Sequence, residues 1–453
     1  MMEHNVTGCC STIIHPDFSW TDWSPDIDRE HIAGAGDNYH GLLDSMIQDI
    51  DLHTLPIQAW FTSVSPSSTN FPRTPADEHP PEDDDRTLRL VHLLMAAAEA
   101  LDGPCKSPHL AHVILARLRQ LPARGGAGST ERLAVHFTNA LLGLLDGGGA
   151  KEPPNHTSEA LVAFQLLQDM SPCMKFGHFT ANQAILEAVA GERRVHIVDY
   201  DIMEGVQWAS LMQALMSIGR GFARPHLRIT AVTLNRRSAK ESGRRLAAFA
   251  ASIGLSFSFG LCQLDGDEKF RPAAVRVVKG EAVVLNCVLH PCSADGARSF
   301  LAGAAALRAR LVTLVDLERE QIGFVGSFME EMKRYSAMCD ALEAGFPKQG
   351  RARETVERVV LASMIAGAVG RAYRRVEGRW GECLEAAEFG KVGLSFFNLC
   401  QARLLLSLFN DGYHVEEDGR NKIVLCWKSC RLISASVWSA PPEESPEGNY
   451  FSC

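Results

Sequence analysis

No stretch of this 453-residue chain is apolar enough to cross a bilayer: the longest apolar run, Val359 to Gly370, is too short and is flanked by arginines. No charged-then-apolar leader opens the sequence, so no secretory signal is expected, and the thiols are expected to stay reduced inside the cell. The 13 cysteines are scattered and odd in number. Cys426 with Cys430, and Cys287 with His290 and Cys292, come nearest to a metal set. Neither has a four-ligand zinc spacing, so buried core thiols are expected and no metal site. Catalytic signatures are missing too: there is no G-x-S-x-G elbow, no H-E-x-x-H pair and no Walker loop. Zinc-finger, homeodomain and basic-zipper patterns are also absent, and no internal repeat of solenoid length is visible.

What is present begins with an uneven charge. The net charge of −9 hides an N-terminal stretch, residues 1–86, with 16 acidic and 3 basic side chains, so the remainder carries +4. That stretch is rich in proline, ends in the acidic run Glu82 to Asp85, and is expected to be a disordered acidic tail. Within it, Phe18, Trp20 and Trp23 stand among aspartates. Leu42, Leu43, Met46, Ile47 and Ile50 recur at helical spacing among Asp44, Asp49 and Asp51. Such alternation suits a segment that folds onto a coactivator groove, and equally a solvated tail with incidental apolar residues.

From Arg86 the pattern turns helical. Leu88, Val91, Leu94, Met95, Ala98 and Leu101 form one predicted face, and further helices are predicted over His109–Leu121, Thr130–Leu145, Glu159–Met170 and Thr180–Val189. This block reads as a helical cap or a dimerising bundle. Leu90–Leu94 and Leu141–Leu145 both spell Leu-x-x-Leu-Leu, which docks in coactivator grooves but more commonly marks the core side of a helix.

The centre of the chain is Arg193 to Met216. Val195, Ile197 and Val198 lie in a short β-branched run, as in a buried parallel strand. Asp199 and Asp201 mark its end, Gly205 supplies a permissive turn, and Trp208, Leu211, Met212 and Leu215 repeat at helical spacing. Strand-like runs at Leu227–Leu234, Leu255–Cys262, Ala282–Leu289 and Leu311–Leu317 then alternate with helical ones at Ala239–Ser252 and Asp295–Arg308. The expected fold is therefore α/β, a doubly wound, mostly parallel sheet. Long helices over Gly326–Ala344 and Arg353–Glu377, the apolar run Leu404–Phe409, and three β-like runs at Tyr413–Glu416, Lys422–Trp427 and Leu432–Trp438 follow. A terminal antiparallel pair of this kind is typical of methyltransferase-like sheets.

The segment VHIVDYDIMEGVQWASLMQAL resembles the VHIID motif of the plant GRAS family of transcriptional regulators, and its wording is most similar to the nodulation-signalling branch of that family. RLAAFAASIGLSFSFGLCQLDGDEKFRPAAVRVVKGEAVVLNCVLH resembles the branch's second leucine-rich region, while Trp380, Trp427–Lys428 and Ser434–Trp438 are similar to the terminal PFYRE and SAW motifs. The ending reads Ser-Ala-Ser-Val-Trp rather than Ser-Ala-Trp. The resemblance spans about residues 87–440. It implies a GRAS domain there, divided into a helical cap (87–191) and a methyltransferase-like Rossmann core (192–440), with a short tail at 441–453. It also implies a nuclear transcriptional co-regulator of nodulation or mycorrhizal signalling, and of strigolactone biosynthesis genes. Such a protein works by hetero-oligomerising with another GRAS protein and with DNA-bound transcription factors, reaches DNA mainly through them, and does not associate with membranes. Partner pairing is expected on the leucine-rich helices, through Leu88, Val91, Leu94, Met95, Leu101, Leu141 and Leu145. Val195, His196, Ile197, Val198 and Asp199 form the VHIID-type motif.

A methyltransferase-like sheet raises two competing readings: an S-adenosylmethionine-dependent enzyme, or a small-molecule sensor in the same crevice. The cofactor needs a glycine-rich turn after the first strand and an acid after the second. Here the turn is DYDIMEG, with Ile202 and Met203 where small residues are needed, and the second strand ends Thr233-Leu234-Asn235-Arg236-Arg237. No catalytic residue and no cofactor are therefore expected. Asp199 is expected to cap the following helix or the adjacent strand end, and His196 to be a satisfied structural histidine. Arg371, Arg374 and Arg375, at i, i+3, i+4, and Arg379 nearby are candidate phosphate contacts, with a solvated helix face as the plainer reading.

Overall fold

The computed structural model describes residues 81–102, 106–120, 129–147, 158–218, 225–264, 269–289, 296–317, 323–375 and 380–441. The acidic stretch before residue 81, His290, Cys292 and Arg379 lie outside the described residues. Five helices come first: α1 (Pro81–Asp102), α2 (Pro108–Gln120), α3 (Ser129–Leu145), α4 (Ser158–Met170) and α5 (Cys173–Ala188). Strands and helices then alternate through β1 (Arg194–Tyr200), α6 (Val206–Ile218), β2 (His226–Thr233), α7 (Arg236–Ser252), β3 (Phe257–Gln263), β4 (Ala282–Val288), α8 (Ala297–Ala306) and β5 (Leu311–Asp316).

These strands form one sheet in the order β3-β2-β1-β4-β5, all parallel, as expected of a doubly wound α/β fold. Every residue of β4 and β5 is buried, because a central parallel strand is covered on both faces. On β1, Val195 and Ile197 enter one layer of core, while Val198 and Tyr200 enter the other. The sheet is completed beyond β5 by antiparallel strands β9 (Cys430–Ser439), β8 (Lys422–Trp427) and β7 (Tyr413–Glu417), with the short β6 (Gly390–Lys391) pairing with β9. Between β5 and this extension lie α9 (Gly323–Gly345), α10 (Gly350–Val356), a π-turn at Glu357–Leu361, α11 (Ala362–Arg374), α12 (Trp380–Ala386) and α13 (Phe396–Leu406).

The cap is built from both ends of the sequence. Leu94, Leu101, Phe137 and Leu141 share one core with Phe328, Tyr335, Ile365 and Val369 of α9 and α11. Phe137 sits edge-on to Phe328, ring centroids 5.4 Å apart, and to Tyr335 at 6.2 Å. Arg132 of α3 reaches the buried Glu357 of the π-turn, Nε to Oε2 at 2.7 Å and Nη2 to Oε1 at 3.1 Å. α5 lies directly on the sheet, since a Cβ at Gly177 would come within 2.6 Å of Val315 Cγ1.

Candidate functional site

The strand order reverses direction between β1 and β4, and the carboxyl ends of those two strands are where an open α/β sheet places a ligand. Asp199 sits there, buried. Its Oδ2 accepts from the indole Nε1 of Trp208 at 2.8 Å and its Oδ1 from Asn286 Nδ2 at 2.8 Å. Asp199 thus accepts from side chains of the following helix α6 and the adjacent strand β4 rather than from backbone N–H groups at the helix start. This corrects the helix-capping half of the expectation, while the adjacent strand does supply a partner. Asn286 also donates to Gln207 Oε1 at 3.1 Å, and its Oδ1 accepts from Thr313 Oγ1 at 2.7 Å and Gln207 Nε2 at 3.2 Å. Gln207 Nε2 reaches on to Asn182 Oδ1 at 3.2 Å, and Asn182 Nδ2 bonds Ser210 Oγ at 3.0 Å. A buried polar chain therefore ties β1, β4, β5, α5 and α6 together where a cofactor would sit. Burial pushes the Asp199 carboxyl up to about 7, against the pull of the Asn286 and Trp208 hydrogen bonds.

The turn above this chain is closed over it. Asp201 (φ 58°), Met203 (φ 46°) and Gly205 (φ 74°) all take left-handed backbone, which folds residues 201–205 tightly. Ile202 is buried in the core layer of Trp208 and Leu246. α7 fastens the turn from outside: Ser242 Oγ donates to the Met203 carbonyl at 2.6 Å, and Arg245 pairs with Glu204. The remaining depression, lined by Asp199, Ile202, Met203 and Trp208 among others, leaves about 20 Å³, room for one water and far less than a nucleoside needs. After β2, where a ribose-binding acid belongs, Asn235 Oδ1 instead accepts from Ser238 N at 3.1 Å and caps α7. The crevice is filled by its own side chains.

His196 is fully buried on β1, with Nε2 2.8 Å from Thr230 Oγ1 and Nδ1 3.2 Å from Glu281 Oε2. Burial and the nearby Arg228 charge push it down to about 4, so the ring is neutral, donating to Glu281 and accepting from Thr230. It is the satisfied histidine that its place on the strand predicts.

The leucine-rich residues divide. Leu94, Leu101 and Leu141 are buried in the cap core, which corrects their assignment to a partner surface; Val91, Met95 and Leu145 are half-buried, and Leu88 is 44% exposed. Both Leu-x-x-Leu-Leu segments therefore face inward at their first leucine. The arginine cluster also divides. Arg371 is 2% exposed, so it is corrected as a phosphate contact. The helix ends at Arg374; Arg375 turns left-handed (φ 56°) and pairs with Asp102 at 3.1 Å, and of the cluster's described arginines Arg374 and Arg375 reach the surface.

Sequence reasoning passed over Asn286, Gln207, Asn182 and Thr313. The one usable signal was a lone asparagine within the otherwise apolar strand AVVLNCV.

Residues 90–439 match the model of the GRAS domain family. The Protein NODULATION SIGNALING PATHWAY 2 of Medicago truncatula is 48% identical over 94% of this chain and 93% of its own length, and that of Lotus japonicus is 50% identical over 94% and 93%. Among solved structures, SCL7 of Oryza sativa is similar with a TM-score of 0.61 and 29% identity, over 77% of this chain and 99% of that one. With a family model spanning the helical cap, the sheet and its antiparallel extension, the chain belongs to the GRAS family.

Proposed function

We propose that this chain is a nuclear transcriptional co-regulator of plant symbiosis signalling, in nodulation or mycorrhizal responses, with strigolactone biosynthesis genes among its targets. The observation that carries this reading is the near-50% identity to two nodulation signalling pathway proteins over 94% of the chain. The filled crevice at Asp199 supports a scaffold rather than a methyltransferase or a small-molecule sensor, because about 20 Å³ does not admit the cofactor. The chain acts by pairing with a second GRAS protein and with DNA-bound factors. On the leucine-rich helices the pairing residues are those not fully buried: the exposed Leu88 and the half-buried Val91, Met95 and Leu145. Of Arg371, Arg374 and Arg375, the exposed Arg374 and Arg375 are the ones available for direct phosphate contact, which by itself carries no sequence choice.

The test is a promoter-DNA binding titration with the full chain, alone and mixed with a second GRAS protein, at two salt concentrations. The reading expects no sequence preference from the chain alone and a preference restored by the partner. A wide preference from the chain alone at the higher salt overturns it.

A further inference from the structure

The helix α13 is apolar on both sides. Its inner side buries Ala402, Leu405 and Leu406, and its N-cap Ser395 accepts from Asn398 N at 3.1 Å. Its outer side carries Phe396 at 72% exposure, Phe397 at 53% and Leu404 at 67%, continued past the helix end by Leu408 at 77%. At ~100° per residue, Phe396, Phe397, Cys400 and Leu404 fall within one arc of about 100°. Taking roughly 200 Å² per side chain, the four exposed ones, Leu408 included, offer on the order of 500 Å², the size at which an exposed apolar patch marks an interaction site.

We propose that residues 42–51 of this same chain, LLDSMIQDID, dock on this face. Leu42, Leu43, Met46 and Ile50 stand at i, i+1, i+4 and i+8, the same spacing as Phe396, Phe397, Cys400 and Leu404. Two such stripes can lie along one another as packed helices do. The charges are complementary: the segment carries Asp44, Asp49 and Asp51 with no basic residue. The patch is flanked by the exposed Arg403 and, at its N-terminal end, by the exposed Arg420, whose carbonyl accepts from Leu394 N. Arg403 forms an exposed ion pair with Glu417, which exchanges readily. Area selects a tethered occupant over a second copy: a stable interface between separate molecules takes about 800 Å² on each side. A tethered segment needs less, because the covalent tether raises its local concentration to about the millimolar range. Twenty-nine residues separate Asp51 from Pro81, a length of chain that reaches at most roughly 100 Å when extended. Docking there covers the patch and keeps an acidic, apolar segment out of reach of other proteins until something displaces it.

The test is hydrogen–deuterium exchange of the full chain at two protein concentrations, with peptide-level thiol labelling of Cys400. In the wild type, amides 42–51 are expected to exchange at least tenfold more slowly than those of a chain carrying Leu404→Glu, a substitution at an exposed site that leaves the fold intact. Met46→Glu is expected to accelerate Cys400 labelling severalfold. Leu404→Met retains protection, and Leu110→Glu, on another exposed apolar site, leaves it unchanged. Equal exchange of 42–51 in wild type and Leu404→Glu overturns the proposal. So does protection that grows with protein concentration, which assigns the face to a second copy.

Discussion

Replacing Asp199 by asparagine removes a titration from the middle of the sheet. In the unfolded chain the carboxyl titrates near its ordinary 3.8; in the fold, burial pushes it up to about 7. The folded state therefore holds the proton more tightly. The contribution to stability is fully present below the unfolded pKa and is lost as pH rises through about 7. Across the whole interval this amounts to roughly 4 kcal/mol, of which about 2–3 kcal/mol falls between pH 5 and pH 8. Asparagine keeps the shape but offers one acceptor oxygen to two donors, Trp208 and Asn286, a loss that does not change with pH and so cancels from the comparison. It does not titrate. Urea unfolding of wild type and Asp199→Asn at pH 5 and pH 8 is expected to show the difference in unfolding free energy moving toward the variant by about 2–3 kcal/mol as pH rises. A difference that stays constant within about 0.5 kcal/mol across this window refutes the argument, and with it the dry, closed environment assigned to the carboxyl.

His196 acts in the opposite sense. Its folded pKa is depressed to about 4 from 6.5, so its contribution is present above pH 6.5 and lost as pH falls through about 4. Between pH 7 and 4.5 the wild type is expected to lose about 2–3 kcal/mol that a His196→Gln chain does not lose, read by the same unfolding assay. Leu94→Ala is expected to cost about 2–5 kcal/mol, as a truncation inside the cap core, whereas Leu88→Ala stays within about 0.5 kcal/mol; equal losses would place both leucines in the core. Arg132→Ala leaves Glu357 buried without its charged partner and is expected to destabilise by about 3–5 kcal/mol in denaturant unfolding, while the exposed Arg374→Ala is close to neutral.

The sheet was legible because parallel strands buried on both faces are written as short β-branched runs, and β1 to β5 each sit within about two residues of their expected bounds. The phase of α1 was not. Leucine or valine occurs at 88, 90, 91, 93 and 94, so several faces look apolar, and only contact with α9 and α11, more than 200 residues away, selects Leu90, Leu94 and Leu101 as the inner one. That contact also makes the cap from two distant parts of the chain, which no local pattern encodes. The arginine face failed for a related reason. Its i, i+3, i+4 spacing holds only while the helix continues, and α11 ends before Arg375 with Arg371 turned into the interior. At the candidate site, missing glycines and a missing acid in the sequence pointed correctly to a turn unlike a cofactor loop. What fills it was hidden, because Asn182, Gln207, Asn286 and Thr313 come from four elements and meet only in three dimensions. Asp199 then draws Trp208 and Asn286 into that network, so the residue that looks most like a ligand-binding acid is the one that closes the crevice.

The central claim is that this doubly wound sheet closes the crevice at the ends of β1 and β4 with its own side chains and acts as a scaffold. Calorimetric titration of S-adenosylmethionine into the full chain tests it most directly. The account predicts no saturable heat up to millimolar ligand. Saturable binding in the micromolar range, abolished by substitution of Asp199, would contradict it and return the crevice to the role of a binding site.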